Sequence, residues 1–299
     1  MALVVQKYGG SSVADADMIK NVARRAVAAK ERGNQVVLVV SAMGDTTDEL
    51  IKLANQVTDH PDDRELDVLL STGEIVSSTL LAMALRSLGA KAISLSGAQA
   101  GIRTDAVYSR ARILGIDPHR ISKELEKNRI VIVAGFQGIT EEMDTTTLGR
   151  GGSDTTAVAL AVSLGADRCE IYTDVDGVYT ADPRLVPDAG RLDEIGYEEM
   201  LELASYGAKV MHPRAVELGE VYRMPILVAS SFSDRPGTLI HGGASMEAKN
   251  KVRGIAHDLS VAKVTIVGVP DKPGVACAIF ESLANEWRSG SQGQPVNWQ

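Results

Sequence analysis

The segment 148–156 combines residues that could bind an anion. It reads Leu-Gly-Arg-Gly-Gly-Ser-Asp-Thr-Thr and directly precedes the apolar run 157–164, which predicts a glycine-rich loop at the start of a helix. Backbone N–H groups and the helix dipole favour negative charge at a helix N-terminus, and Arg150 can donate two parallel hydrogen bonds to a carboxylate or phosphate. Ser153 or Asp154 is expected to cap the helix. The alternative interpretation is a capped helix that binds no ligand.

A second candidate anion site follows the first predicted strand, where Lys7 precedes Gly9 and Gly10. The lysine ammonium and the glycine N–H groups could bracket phosphates as a P-loop does, although the spacing is not that of a Walker motif. The alternative is a surface lysine before a turn. Together, Lys7 and Arg150 fit phosphoryl transfer, in which positive charge offsets the negative charge of the transferred group.

The segment 173–184 holds three aspartates and an arginine, in the order Thr-Asp-Val-Asp-Gly-Val-Tyr-Thr-Ala-Asp-Pro-Arg. Asp-Gly and Asp-Pro favour turns, so some of these residues could serve only to shape a loop. The functional interpretation is a nucleotide site in which carboxylates orient Lys7 or bind Mg²⁺ through water, while Tyr179 and Arg184 line the nucleotide.

Four isolated residues carry weaker signals. Lys209 adds a cation to the same predicted edge, although a lone lysine is more often a solvated helix residue, and His212, which precedes a proline, is predicted to be structural. Cys169 and Cys277 have no metal-ligand spacing and indicate neither a disulfide framework nor a zinc site, so both are predicted to be inert core thiols.

The elements that must position these residues indicate an α/β fold. Short β-branched runs alternate with segments of helical periodicity, which is typical of βαβ units and a parallel sheet covered on both faces. The predicted strands are Leu3–Gln6, Val36–Val40, Ala92–Leu95, Ile130–Ala134, Glu170–Thr173 and Ile226–Ser230. The predicted helices are Met18–Arg32, Leu66–Leu88, Ile121–Lys127, Asp154–Leu164 and Tyr197–Leu203. Ligands bind at the carboxyl ends of the strands of such sheets, which is where the polar motifs fall.

The composition limits the class of partner. The chain has 299 residues, and the 44% that are hydrophobic are typical of an ordinary globular protein. Its formal net charge of −8 argues against general binding to nucleic acid or to an anionic membrane. The first residues lack the features of a signal peptide, and no apolar run is expected to reach the length of a membrane span. We therefore predict a cytoplasmic protein.

Five ordered motifs together resemble the aspartate kinases of the amino acid kinase family, close to the bacterial lysine-pathway type, over residues 1 to about 285. The motifs are Lys-Tyr-Gly-Gly-Ser-Ser at 7–12, Val-Ser-Ala-Met-Gly-Asp-Thr-Thr-Asp-Glu-Leu at 40–50, Ser-Thr-Gly-Glu at 71–74, Gly-Arg-Gly-Gly-Ser-Asp-Thr-Thr-Ala at 149–157 and Tyr-Thr-Asp-Val-Asp-Gly-Val-Tyr-Thr-Ala-Asp-Pro-Arg at 172–184. The resemblance implies a mainly parallel sheet between helices. It also implies that ATP and Mg²⁺ are used to phosphorylate the β-carboxylate of L-aspartate, the first step toward lysine, threonine, methionine and diaminopimelate.

The resemblance also implies roles for individual residues. Those implied to be catalytic are Lys7, Asp154 and Asp174. Those implied to bind aspartate are Ser41, Thr47, Glu74, Arg150, Gly151, Gly152, Ser153 and Asp154. Those implied to bind ATP are Lys7, Tyr8, Gly9, Gly10, Ser11, Thr173, Asp174, Tyr179, Thr180, Ala181, Asp182, Pro183, Arg184, Lys209 and Val210. No metal site built from protein side chains alone is expected.

The substrate class agrees with the residue chemistry. An α-amino acid offers one ammonium and one carboxylate, and Glu74 and Arg150 supply one charge partner for each. The β-carboxylate that accepts the phosphoryl group is ionised at pH 7, with a reference pKa of about 3.9, so the reaction needs no general base.

The C-terminal region departs from the family pattern. We expect a catalytic domain at 1–243, a linker at 244–261, a partial segment at 262–286 that resembles the opening strand and helix of an ACT regulatory module, and an unmatched polar tail at 287–299. An incomplete module predicts weak or absent inhibition by lysine and threonine. Assembly as a homo-oligomer, or with a regulatory subunit, is also expected.

Two other readings of the motifs stay open at the level of sequence. One is a non-catalytic binding or regulatory subunit with the same fold, although every motif residue keeps a chemically competent type. The other is a related kinase for carbamate, glutamate, acetylglutamate or uridylate, against which Glu74 and the 149–157 motif argue.

Overall fold

The computed structural model describes residues 2–208, 210–243, 252–258, 265–270 and 272–288. The chain divides into two compact units, Met1–His257 and Asp258–Gln299. Each unit is described by itself below.

The first unit is built on an eight-stranded sheet. In spatial order its strands are β10 (Glu194–Gly196), β12 (Thr238–His241), β11 (Ile226–Ser230), β9 (Arg168–Thr173), β1 (Leu3–Tyr8), β2 (Gln35–Val40), β6 (Ile130–Ala134) and β3 (Ala92–Leu95). Neighbouring strands are parallel except β11 and β12, which are antiparallel. All six predicted strands are therefore confirmed, within two residues at their ends.

Seven helices flank this sheet. They are α1 (Ala16–Glu31), α2 (Thr46–Val57), α3 (Asp63–Ser87), α4 (His119–Glu126), α5 (Gly152–Leu164), α6 (Tyr197–Ser205) and α7 (Pro213–Tyr222). Side chains alternate between the two faces of a strand. Val36 and Leu38 of β2 therefore pack in the core beneath α1 and α3, and Val37 and Val39 pack in the core beneath α5 and α7. Burial on both faces explains why the central strands are almost continuously apolar.

A second sheet of four short strands brings one motif to the main sheet. Its order is β5 (Ile113–Ile116), β4 (Ile102–Thr104), β7 (Gln137–Ile139) and β8 (Thr145–Thr147). The last strand, β8, leads directly into the glycine-rich segment 148–156. The sequence did not predict this sheet, because three or four residues are too few to display an alternating pattern.

Helix α3 corrects one expectation from the sequence. By length and composition it could cross a membrane, although we expected no such apolar stretch, and half of the stretch is buried inside the protein. The core helix of a globular protein passes the same test. Asp67 and Glu74 on α3 are buried, and their carboxylates accept backbone N–H groups of the protein itself.

In the second unit, the predicted helix at 275–286 is confirmed as α8 (Val275–Arg288). Cys277 on this helix is exposed, so the core position predicted for it is wrong, whereas Cys169 of the first unit is buried as predicted. Residues 265–269, the described part of the strand predicted at 262–269, are not in a strand, and residues 262–264 lie outside the described residues. Most of the linker and most of the tail also lie outside them, so the domain boundaries at 243, 261 and 286 stay predictions.

Candidate functional site

A cavity of about 620 Å³ lies at the carboxyl ends of β1 and β2 and beside the start of α5. Lys7 and Gly10 contribute to its wall from the β1 end of the sheet. All the residues predicted to bind aspartate also line it, namely Ser41, Thr47, Glu74, Arg150, Gly151, Gly152, Ser153 and Asp154. Motifs from four separate parts of the chain therefore meet around one cavity.

Lys7 and Asp154 form an ion pair in this wall, with 2.7 Å between Nζ and Oδ1. Lys7 lies within β1 rather than beyond it, and strand alternation directs it to the same face as Val5, toward α5. Only 12% of the Lys7 side chain and 11% of the Asp154 side chain are exposed. The carboxylate that holds Lys7 is thus Asp154, and the prediction that aspartates of 173–184 orient Lys7 is wrong.

The start of α5 also differs from its prediction. The N-cap is Gly151, in the left-handed conformation with φ of 69°, and no side chain caps the helix, so the caps predicted at Ser153 and Asp154 are wrong. A Cβ at Gly151 would overlap the ring of His212. His212 itself caps α7, where its Nδ1 accepts a hydrogen bond from the Arg214 N–H at 3.3 Å. The structural role predicted for His212 is confirmed, and burial lowers the pKa of its imidazole.

Glu74 places a buried carboxylate in the cavity wall. Only 3% of the residue is exposed. Its Oε1 accepts the Ala42 N–H at 3.0 Å, while its buried Oε2 has no hydrogen-bond partner in the part of the chain that the structure describes. Burial raises the pKa of Glu74 from its ordinary value of 4.5 to about 7. A positively charged ligand would supply the missing partner and restore the ionised form.

Arg150 supplies the opposite charge to the same cavity. It is exposed, and no ion pair or hydrogen bond of its side chain occurs within the described ranges. A buried carboxylate and a free guanidinium in one cavity are complementary to the ammonium and the carboxylate of an α-amino acid.

The residues predicted to bind ATP are divided between two places. Lys7 and Gly10 line the cavity. Thr173 is the last residue of β9 and Asp174 follows it, and the loop after this strand holds Tyr179, Thr180, Ala181, Asp182, Pro183 and Arg184, none of which lines the cavity. In that loop Tyr179 pairs with Arg191, Thr180 with Gly190 and Asp182 with Arg184, while Ala181 is partly exposed and Pro183 is exposed. Val210 is partly buried, and Lys209 lies outside the described residues.

The Tyr8 side chain does not fit its predicted role. It points to the α1 face of the sheet, is fully buried and stacks on Tyr172 with 4.9 Å between the ring centroids. The ring belongs to the core, so only the backbone of Tyr8 remains near the site. Beyond it, the Gly9 N–H donates to the Tyr172 carbonyl at 3.3 Å, and Ser11 is exposed.

Sequence analysis missed three residues that support the cavity. Arg214 of α7 donates to the carbonyls of Leu148 at 2.8 Å and Ala111 at 3.1 Å, and so holds the segment that leads to Arg150. Asp67 accepts hydrogen bonds from the N–H groups of Ser109 and of Thr147, the residue before Leu148. Asp67 left a signal in the sequence, because Asp67 and Glu74, two helical turns apart, are the only charged residues within positions 66–85.

No cluster of three or more His, Cys, Asp and Glu side chains that could hold a metal ion occurs in the part of the chain that the structure describes.

Known proteins share both the sequence and this architecture. The model of the amino acid kinase family matches residues 2–230. An aspartokinase of Mycobacterium tuberculosis is 56% identical over 288 residues, which cover 95% of this chain and 68% of that protein. The aspartate kinase structure from Synechocystis is 47% identical with a TM-score of 0.73, and the match covers 96% of this chain and about half, 49%, of that chain. A structure of E. coli aspartokinase III in complex with aspartate and ADP is 30% identical with a TM-score of 0.72, and covers 82% of this chain and 65% of that chain.

Proposed function

We propose an activity from family membership, since the chain belongs to the amino acid kinase family and, within it, to the aspartokinases. The proposed reaction transfers the γ-phosphoryl group of ATP to the β-carboxylate of L-aspartate and yields 4-phospho-L-aspartate and ADP. This reaction opens the biosynthetic route to lysine, threonine and methionine. The chain spans about half of the length of the Synechocystis enzyme, so the regulation of that longer protein is not proposed for it.

The observation that carries the proposal is the pairing of Glu74 and Arg150 in one cavity. Glu74 Oε2 is buried without a partner and would bind the substrate ammonium, while the free Arg150 guanidinium would bind its α-carboxylate. These two contacts leave the β-carboxylate to face the Lys7 end of the cavity. The related enzyme with aspartate and ADP bound is consistent with both ligand classes.

Catalysis by this site rests on positioning and charge compensation. The β-carboxylate is already an anion at neutral pH, so no residue has to remove a proton. Lys7 is held by Asp154 in a nearly enclosed position, where its charge can stabilise the transferred phosphoryl group more strongly than in water. The start of α5 adds the positive end of a helix dipole.

Magnesium fits this donor set as a companion of the nucleotide. The hard oxygen ligands in reach of the strand ends are the carboxylates of Asp154 and Asp174, and Mg²⁺ prefers such ligands. When bound, the ion would neutralise phosphate charge. We propose that the loop at 173–184 and Val210 form the nucleotide-binding surface. We also predict that the chain assembles with a second copy of itself or with a regulatory subunit.

The test is ATP- and Mg²⁺-dependent formation of an acyl phosphate, trapped with hydroxylamine as the hydroxamate. L-Aspartate is compared with L-glutamate, acetylglutamate and no acceptor. A product with aspartate alone is expected. Equal signals with another acceptor would overturn the substrate assignment, and folded protein that binds ATP without forming product would indicate a binding subunit instead of a kinase.

A further inference from the structure

Ser109 has an unusual conformation at the wall of the aspartate cavity. It lies in the loop between β4 and β5 and adopts a φ of +64°, which is uncommon for a residue other than glycine. Its Oγ is buried without a hydrogen-bond partner. Strained conformations and unpaired polar groups both cost free energy, so each needs an explanation when it occurs in a native structure.

Asp67 of α3 holds Ser109 in this conformation. The Ser109 N–H donates to both carboxylate oxygens of Asp67, at 3.0 and 2.9 Å. Thr147, at the end of β8, donates its N–H at 2.8 Å and its Oγ1 hydroxyl at 2.6 Å to the same carboxylate. Asp67 is fully buried, and these neutral donors satisfy it from two sides. One carboxylate therefore joins the Ser109 loop to the segment that reaches Arg150 three residues later.

The Ser109 loop also contacts that segment directly. A Cβ added at Gly149 would lie 3.0 Å from the Ser109 carbonyl oxygen, and Gly149 has a φ of +75°. Ser109 is thus packed beside the residue that precedes Arg150. Ser109 and Arg150 line the same cavity, so a ligand carboxylate bound by Arg150 can also accept a hydrogen bond from the Ser109 hydroxyl, which has no acceptor among the described residues.

We propose that Ser109 is a further substrate-binding residue, whose hydroxyl donates a hydrogen bond to the same carboxylate that Arg150 binds, and that Asp67 is its positioning residue. The proposal rests on the proposed aspartokinase function. It explains the unpaired hydroxyl, the left-handed backbone and the four hydrogen bonds to Asp67 by one role.

The first test is Ser109→Gly, because glycine tolerates the positive φ and keeps the N–H donor while removing the hydroxyl. A hydrogen bond to a charged group predicts an increase of about tenfold or more in the KM for aspartate, with the KM for ATP and the melting temperature unchanged. Ser109→Ala also lacks the hydroxyl, and it should show the same KM increase together with a lower melting temperature. An aspartate KM of wild-type value in Ser109→Gly would overturn the proposal.

Variants of Asp67 test the positioning role. In Asp67→Asn the remaining oxygen can accept the two N–H groups, and the amide can donate to the Thr147 hydroxyl, so the KM for aspartate should stay within about threefold of wild type. Asp67→Ala removes all acceptors and should raise the KM for aspartate without changing the KM for ATP. A fall in melting temperature in both variants with no change in either KM would show a purely structural role and overturn this part.

Failure of the proposed function would look different. The kinase activity would be overturned if the wild-type protein bound aspartate in calorimetry but formed no hydroxamate product. In that case, the aspartate affinities of wild type and Ser109→Gly, compared by calorimetry, would still test the hydrogen bond.

Discussion

Replacing Glu74 with glutamine should make the unliganded protein more stable and a poorer enzyme. Glu74 is 3% exposed, its Oε2 has no partner, and its pKa is raised to about 7 by burial. A shift from 4.5 to about 7 corresponds to about 3 kcal/mol of free energy by which folding disfavours the ionised side chain. Glutamine removes the charge and keeps an oxygen that can accept the Ala42 N–H.

The size of this stability gain depends on pH, because it requires Glu74 to be ionised in the unfolded chain. Below about pH 4.5 Glu74 is protonated in both folded and unfolded protein, so burial of the charge costs nothing. Between pH 4.5 and 7 the unfolded chain loses the proton first, so the penalty grows as the pH rises, and above pH 7 it is constant. We therefore expect Glu74→Gln to raise the free energy of unfolding by about 1 to 3 kcal/mol at pH 8 and by much less at pH 5.

Urea titration of unliganded wild type and Glu74→Gln at pH 5 and pH 8 measures this difference. Glu124 offers a matched control, since this buried carboxylate pairs with Lys127 and Arg129 and its pKa is lowered by them; Glu124→Gln should destabilise the protein. The aspartate KM of Glu74→Gln should rise by about a hundredfold because the substrate ammonium loses its charged partner. A stability gain that is equal at both pH values, or an unchanged aspartate KM, would refute the reasoning.

Three other variants test the rest of the cavity. Lys7→Ala should lower kcat by orders of magnitude, and it should lower the melting temperature because it leaves the Asp154 carboxylate buried without its cation. Adding Asp154→Asn should restore the melting temperature but not kcat. A near-normal kcat in Lys7→Ala would contradict the role of Lys7. Gly151→Ala should reduce both activity and thermal stability, since a Cβ there meets the His212 ring, and a fully active, equally stable variant would show that the loop adapts. Arg150→Lys should raise the aspartate KM at least tenfold with little change in the ATP KM, because lysine cannot make two parallel hydrogen bonds to a carboxylate; steady-state kinetics with each substrate varied separates this from a general loss of activity.

The sequence was most informative where a long apolar pattern or a strand end determines the geometry. Five of the six predicted strands (β11, β9, β1, β2 and β6) lie inside the sheet, where burial on both faces requires apolar runs such as Val36–Val40. The same alternation of side chains that places Lys7 beside α5 explains why Tyr8, one residue later, enters the core on the other face. Residue type alone did not reveal this difference.

The parts that sequence did not reveal depend on contacts between distant segments. Asp154, the partner of Lys7, lies 147 positions away in the chain at the start of α5, and this helix begins two residues earlier than predicted. The hydrogen bonds of Asp67 join α3 to two loops whose strands are too short to recognise. Neither kind of contact has a local pattern, because each joins segments that lie far apart in the chain.

Helix α3 carries Asp67 and Glu74 seven residues apart, which is about two turns and about 10 Å along the axis. One carboxylate holds the loop beside Arg150, and the other provides the anion of the cavity, so the helix sets the spacing between the two ends of the amino acid site. Adding or removing a single residue between them would rotate one carboxylate by about 100° relative to the other. Exposed positions of the same helix, such as Val76 and Met83, carry no such constraint. In evolution, this helix should therefore accept many substitutions on its outer face but insertions and deletions between the two carboxylates hardly at all.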